Sequence, residues 1–127
     1  MRTIKFRGGD IDSDAWFYGD LEYCQATNKA RIHTYDCDGK YESQHNIDPD
    51  TIGQYTGLCD KDDKEIYEGD ILEDADLRYE VCWYDEIAAF MAEDIESQKP
   101  FLLSDLDLSG TVVIGNRYNN PDLLNGK

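Results

Sequence analysis

The chain has 127 residues, 40% hydrophobic and 12% aromatic, which is enough to fold around a core of its own without disulfide staples. It carries 28 acidic and 12 basic residues, a formal net charge of −16, and no basic run. That balance excludes gripping a DNA or RNA backbone over the whole surface, and an anionic membrane leaflet repels such a chain for the same reason.

No apolar run approaches the ~20 residues of a spanning helix. The start, Met1 to Arg7, lacks the apolar centre of a signal peptide, so the cytoplasm is the expected compartment. In chain order, Thr3-Ile4-Lys5-Phe6-Arg7 alternates apolar and polar residues and predicts a first strand closed by Gly8-Gly9. Asp10, Asp12 and Asp14 have the spacing of the first calcium ligands of an EF-hand loop. That motif needs Gly at its sixth position and Glu at its twelfth, where this chain has Ala15 and Leu21, so the segment reads as a solvated turn. Ala15 to Cys24 predicts a strand in which Gly19 marks a bulge or a close approach of backbone. Turn residues at Ala26–Lys29 and at Asp36–Lys40 separate it from strands over Ala30–Tyr35 and Tyr41–Ile47, an antiparallel meander.

Pro49 forbids a central strand, so Asp48–Gly53 marks the boundary between an N-terminal meander, residues 1–53, and a C-terminal unit, residues 54–127. The stretch from Gln54 to Leu72 is punctuated by Gly57 and Gly69, has a polar tip at Asp60–Asp63, and is anchored by Ile66, Tyr67, Ile71 and Leu72. It reads as a scaffold of turn, tip, short strand, turn and strand, with Tyr67 and Ile71 facing a core. Beyond it, Tyr79–Tyr84 predicts a core strand with Tyr79, Val81 and Trp83 on one face. Residues 85–96 fit either a helical stripe or a strand, with the strand favoured through Ala89–Ala92. A short strand at Phe101–Leu103, a capped turn at Ser104-Asp105, a β-branched strand at Thr111–Ile114 and a one-turn helix at Pro121–Leu124 complete the reading. The fold class is therefore mainly β, a meander packed on a small SH3-like barrel, with at most short helical segments.

Three parts of the sequence resemble the YopX family, small proteins encoded by bacteriophages and prophages. They are the basic opening strand Met1–Arg7, the segment Gln54–Leu58 with Lys64–Ile71, and the closing run Ile114–Leu124. The tip Asp60–Asp63 departs from the Asn-Gly or Asp-Gly turn common in the family, and Cys59 stands where a basic residue is common. The resemblance implies a bacterial host cytoplasm and a fold, and no reaction.

No residue is assigned a catalytic, cofactor-binding or metal-binding role. His33 and His45 have no partner evident in sequence, and Asp70 and Asp85 are two among 28 acids, where chance proximity is expected. The cysteines at 24, 37, 59 and 82 are never closer than thirteen positions, which matches neither a zinc pair nor a redox pair, so free thiols buried in or beside strands are expected. Nine tyrosines and exposed sheet edges favour a non-enzymatic protein-binding module, its partners including itself as a homo-oligomer. The alternatives are an acidic DNA mimic that occupies the basic groove of a host nucleic-acid enzyme and an enzyme of unrecognised type.

Overall fold

A computed structural model describes residues 2–125 and falls into two units that divide between Tyr55 and Thr56. In the first unit, β1 (Phe6–Gly9), β2 (Trp16–Cys24), β3 (Lys29–Tyr35) and β4 (Tyr41–Ile47) lie side by side in the order β4-β3-β2-β1. β5 (Gly53–Cys59) then pairs with β1 through Gly53 and Gln54. All of these pairs are antiparallel, as the predicted meander requires. Alternation works as read: Ala30 and Ile32 of β3 are buried and Arg31 between them is exposed. With Ile47 they form the centre of a small core, flanked by Phe6, Phe17, Leu21 and Ile52.

Gly8 and Gly9 do not close the first strand; they are its buried end. The chain after them curls back onto β4, with Asp10 bridging Ile47, the Ile11 N–H donating to the Asn46 carbonyl at 3.1 Å and the Asp48 N–H donating to the Gly9 carbonyl at 2.9 Å. A Cβ at Gly8 would lie 2.1 Å from Ile47 Cγ2, so only glycine admits this approach. Gly19 of β2 has the same role against β3, where a Cβ would lie 2.1 Å from the His33 carbonyl oxygen.

The second unit contains the far end of β5, then β6 (Glu65–Tyr67), β7 (Asp70–Asp74), β8 (Leu77–Tyr84), β9 (Ala89–Asp94), β10 (Pro100–Leu102) and β11 (Val112–Asn116). Residues 85–96 thus hold a turn and a strand, not a helix. Short 3-10 turns occupy Pro49–Thr51, Leu103–Asp105, Leu108–Gly110 and Pro121–Leu124, and the second and third of these lie in the leucine-bearing segment between β10 and β11. The sheet order is β10-β9-β8-β7-β11, open at both ends. The expected SH3-like barrel is corrected here: among the described residues the strands form two antiparallel sheets and no closed barrel. A barrel needs its first and last strands to meet, and β10 and β11 remain at opposite edges.

The buried face of this sheet gathers Leu72, Tyr79, Val81 and Ala92, covered by Ile66 and Leu58 from the β5–β6 side and by Leu103, Leu106 and Leu108. Each fully buried aliphatic side chain here contributes about 1.5–3 kcal/mol of transfer free energy. Trp83 shares the parity of Tyr79 and Val81, but the covering elements stop short of it and leave it 41% exposed. Gly57 lies inside β5 and does not end it, with a φ of +88°. Tyr67 and Ile71 are buried as read.

Gly69 makes the joint between β6 and β7. Its φ is +94°, its N–H donates to the Val81 carbonyl at 2.8 Å, and its carbonyl accepts from the Arg117 N–H at 2.9 Å. A β-branched residue is strained in that conformation, and moving the backbone would break both bonds. We predict that Gly69→Val destabilises the chain by about 2 kcal/mol or more, read as a lower urea midpoint by circular dichroism. A variant with the wild-type midpoint would contradict the structural role of this joint.

Candidate functional site

The tip between β5 and β6 is built around one carboxylate. Asp60 is 7% exposed; its Oδ1 accepts from the Asp62 N–H at 2.8 Å and the Lys64 N–H at 2.9 Å, and its Oδ2 accepts from the Val113 N–H at 2.9 Å. The Lys61 N–H adds a bond to the Thr111 carbonyl at 3.0 Å. The acidic tip is therefore an internal cap that seats itself on the outer edge of β11, where unpaired N–H and carbonyl groups would otherwise face solvent. Burial works to raise the pKa of this carboxyl, but the three N–H groups and the charge of Lys64 outweigh it and hold it below the usual aspartate range.

Asp70 is likewise consumed by the scaffold. It is 2% exposed, and its Oδ2 accepts from the Tyr67 N–H at 2.7 Å across the Glu68-Gly69 turn. Asp85 sits in the turn between β8 and β9, outside any such network. Asp10 holds its own turn, accepting from Ser13 Oγ at 2.7 Å, and among the described residues no three His, Cys, Asp or Glu side chains come together as metal ligands.

The two histidines belong to opposite faces of the meander. His33 lies between Glu22, with Nε2 2.8 Å from Oε1, and Tyr41, with Nδ1 3.2 Å from the phenol oxygen. This hydrogen bond lowers the Glu22 pKa against a smaller opposing effect of burial. His45 stacks flat on Phe17, ring centroids 3.5 Å apart, and its Nε2 lies 2.8 Å from Ser43 Oγ. A serine bonded to an imidazole is the first half of a nucleophilic pair, and two-residue spacing along one strand is the signal that could have found it. Ser43 Oγ is also 3.0 Å from Thr34 Oγ1, which makes a hydroxyl chain across the β3–β4 pair. The hollow of about 470 Å³ in this unit is lined by Ile11, Glu22, Cys24, Arg31, Asn46 and Ile47 among others, and neither histidine opens into it.

The thiols are all free, as expected, but none is fully buried: Cys24 and Cys37 are exposed, Cys59 and Cys82 half-buried. A hydrogen bond with Thr27 holds the Cys24 thiol below the usual range, whereas burial, reinforced by Glu93 and Glu80, pushes Cys82 up to about 12. Around Cys82, Glu80 and Glu93 stand directly opposite on β8 and β9. Glu80 Oε2 is 3.0 Å from Arg117 Nη1, an ion pair by distance whose angle makes no hydrogen bond to that oxygen. Burial raises the Glu80 pKa, Arg117 draws it back and Glu93 raises it further. Tyr84 donates its hydroxyl to Glu93, a bond that carries the phenol up to about 12.

The closing run Ile114–Leu124 is a structural device of the same kind as the tip. Asn116 Oδ1 accepts from the N–H groups of Tyr118 and Asn119, both at 2.9 Å, and Asn120 Oδ1 accepts from the Asn116 N–H at 3.2 Å. The whole arrangement defines a two-unit, all-β scaffold whose three sequence signatures serve backbone geometry.

Residues 5–125 match the family described as YopX protein, and the chain belongs to that family. No curated protein matches it. In structure the chain is similar to protein EF1440 from Enterococcus faecalis, with a TM-score of 0.60 and 24% identity over 98% of this chain and 99% of that one, which supports the fold. Among the described residues no helix is long and apolar enough to cross a membrane.

The Asp60 network carries a pH dependence. A carboxyl whose pKa is depressed on folding adds stability that is complete above its unfolded value, near ~4, and is lost as pH falls through the folded value. We predict that Asp60→Ala costs about 2–3 kcal/mol at pH 7, since it leaves three N–H groups without their acceptor. The wild-type chain should lose this advantage on acidification below pH ~4, so urea midpoints of wild type and variant converge there. An equal gap at pH 7 and pH ~3 would contradict the assignment.

Proposed function

We propose that this chain is a non-enzymatic protein-binding module of a phage or prophage, working in the host cytoplasm and able to associate with itself. The observation that carries this reading is the grouping of exposed aromatic side chains on strands. Tyr35 and Tyr41 are 47% and 54% exposed and meet edge to face at 5.7 Å, with the His33 ring 5.8 Å from Tyr41. Trp83 is 41% exposed and meets Phe90 edge to face at 5.0 Å. Scattered exposed apolar residues are ordinary, but rigid aromatic pairs on a sheet surface supply amphipathic area at small entropic cost, as protein contacts require.

The second reading, an acidic mimic of DNA, is supported by where the charge sits. Residues 56–127 contain 18 of the acids and 6 of the bases, and residues 1–55 contain 10 and 6, so the C-terminal unit holds −12 of the net −16. Such a field attracts a basic groove and falls off with added salt. The commoner role of acidity, keeping a protein soluble, accounts for the magnitude but not for the asymmetry.

Size-exclusion chromatography with light scattering, followed by affinity capture from host extract at physiological salt, tests the module reading. We expect either a mass that is a multiple of the 14.6 kDa chain or retention of a partner in stoichiometric amount. A strict monomer that retains nothing beyond what a denatured control retains would contradict it.

A further inference from the structure

The β8–β9 hairpin is longer than the strands on either side of it. β7 reaches only as far as Gly69, whose N–H meets the Val81 carbonyl, and β10 ends at Leu102 opposite Met91. From Trp83 to Phe90 the two strands pair with each other alone, Trp83 with Phe90 and Tyr84 with Ala89, and no further strand flanks them among the described residues. A bare two-stranded ribbon is marginal in water, and this one also holds an aromatic pair partly open to solvent with Ile87, 55% exposed, at its turn. Ala88 completes the turn with a φ of +52°. Phe90 still packs against the core, so the apolar face of the sheet continues past the elements that cover it and ends on the exposed Trp83 and Ile87.

The charge around that surface selects what can cover it. Between Arg78 and Lys99 the chain has no basic residue, and the acids next to the pair are Asp85 and Glu86, since Glu80 and Glu93 lie on the opposite face, where Arg117 pairs with Glu80. Asp85 and Glu86 sit in the ribbon's own turn. A second copy laid ribbon against ribbon would bring Asp85 and Glu86 of both copies together, and a nucleic acid or an anionic membrane would be repelled in the same way. A cation meets no such obstacle: a guanidinium can stack on Trp83 and pair with Asp85 or Glu86 while an aliphatic neighbour covers Phe90 and Ile87.

We infer that the Trp83–Phe90 ribbon is a docking surface for a Lys/Arg-rich segment of another protein that carries an aliphatic or aromatic side chain among its basic ones. This rests on the reading of the chain as a protein-binding module and names its contact surface and the chemistry of its partner. The ribbon's unpaired backbone on both edges allows the segment to add as a strand, with Trp83 and Phe90 as the anchor.

The test is selection of a displayed library of random peptides, about twelve residues long so that they can add as one strand, on the immobilised full chain. Selected peptides are then titrated against wild type, Trp83→Ser, Ile87→Ser and Tyr23→Ser, each checked for folding by circular dichroism. We expect peptides of net positive charge containing at least one Leu, Ile or aromatic residue. Their binding should be at least about tenfold weaker to Trp83→Ser and Ile87→Ser, unchanged by Tyr23→Ser, and weakened by salt. Neutral or acidic peptides among the tight binders would overturn the inference. So would basic peptides that bind Trp83→Ser and Ile87→Ser as tightly as wild type, although the chain would then still be a protein-binding module through another surface. Enrichment of no peptide at all would overturn the inference, and the module reading would fall with it only if the chain is also a strict monomer that captures no partner.

Discussion

The carboxylate of Asp60 is the constraint on which the C-terminal unit depends. Its three backbone hydrogen bonds close the β5–β6 tip and fasten it to Val113, fifty-three residues further along the chain. β11 is an edge strand with an irregular register against β7, between Val113 and Gly115. Without the tip its outer N–H and carbonyl groups would be open to pairing with other chains. Asp60 thus satisfies a local turn and blocks an edge with one side chain, and Asp70 and Asn116 repeat the economy at the Gly69 joint and after β11.

This changes the meaning of the acidic surface. Several carboxylates that a sequence presents as available for chemistry are occupied by backbone N–H groups, because small all-β units have many turns to close and Asp closes them well. The acids that remain outward are spread over both units, and two of them, Asp85 and Glu86, sit in the turn of the β8–β9 hairpin. Beside that turn stands the partly open Trp83–Phe90 pair, so acidic and apolar groups lie next to each other there. Opposite pH trends follow within the same unit: acidification removes the contribution of Asp60, whereas protonation relieves the half-buried Glu80 that faces Glu93.

Much of the strand order was legible because alternation is a local signal. Tyr41–Ile47 occupies the predicted span, and Trp16–Cys24 and Lys29–Tyr35 differ from their predicted spans by one residue at one end. What could not be read depended on distant partners. Gly8 and Gly9 look like a strand stop until Ile47 is known to press against the first of them. The parity of Trp83 assigns it to the buried face, but parity cannot say where Leu58, Ile66 and Leu103 cease to cover that face. Strand count alone suggested a barrel, and closure is a relation between the two end strands that no local run encodes. The candidate contact surface was hidden for the same reason, since it exists only where β7 and β10 end early.

Native-state hydrogen exchange on the intact chain measures the central constraint most directly. If Asp60 fastens the tip to the edge of β11, the amide protons of Asp62, Lys64 and Val113 should exchange as slowly as those of the central strand β8 in the wild type. In Asp60→Ser all three should speed up together while β8 keeps most of its protection. Exchange of Val113 at the rate of an open strand edge in the wild type, or three amides that respond independently to the substitution, would contradict the account.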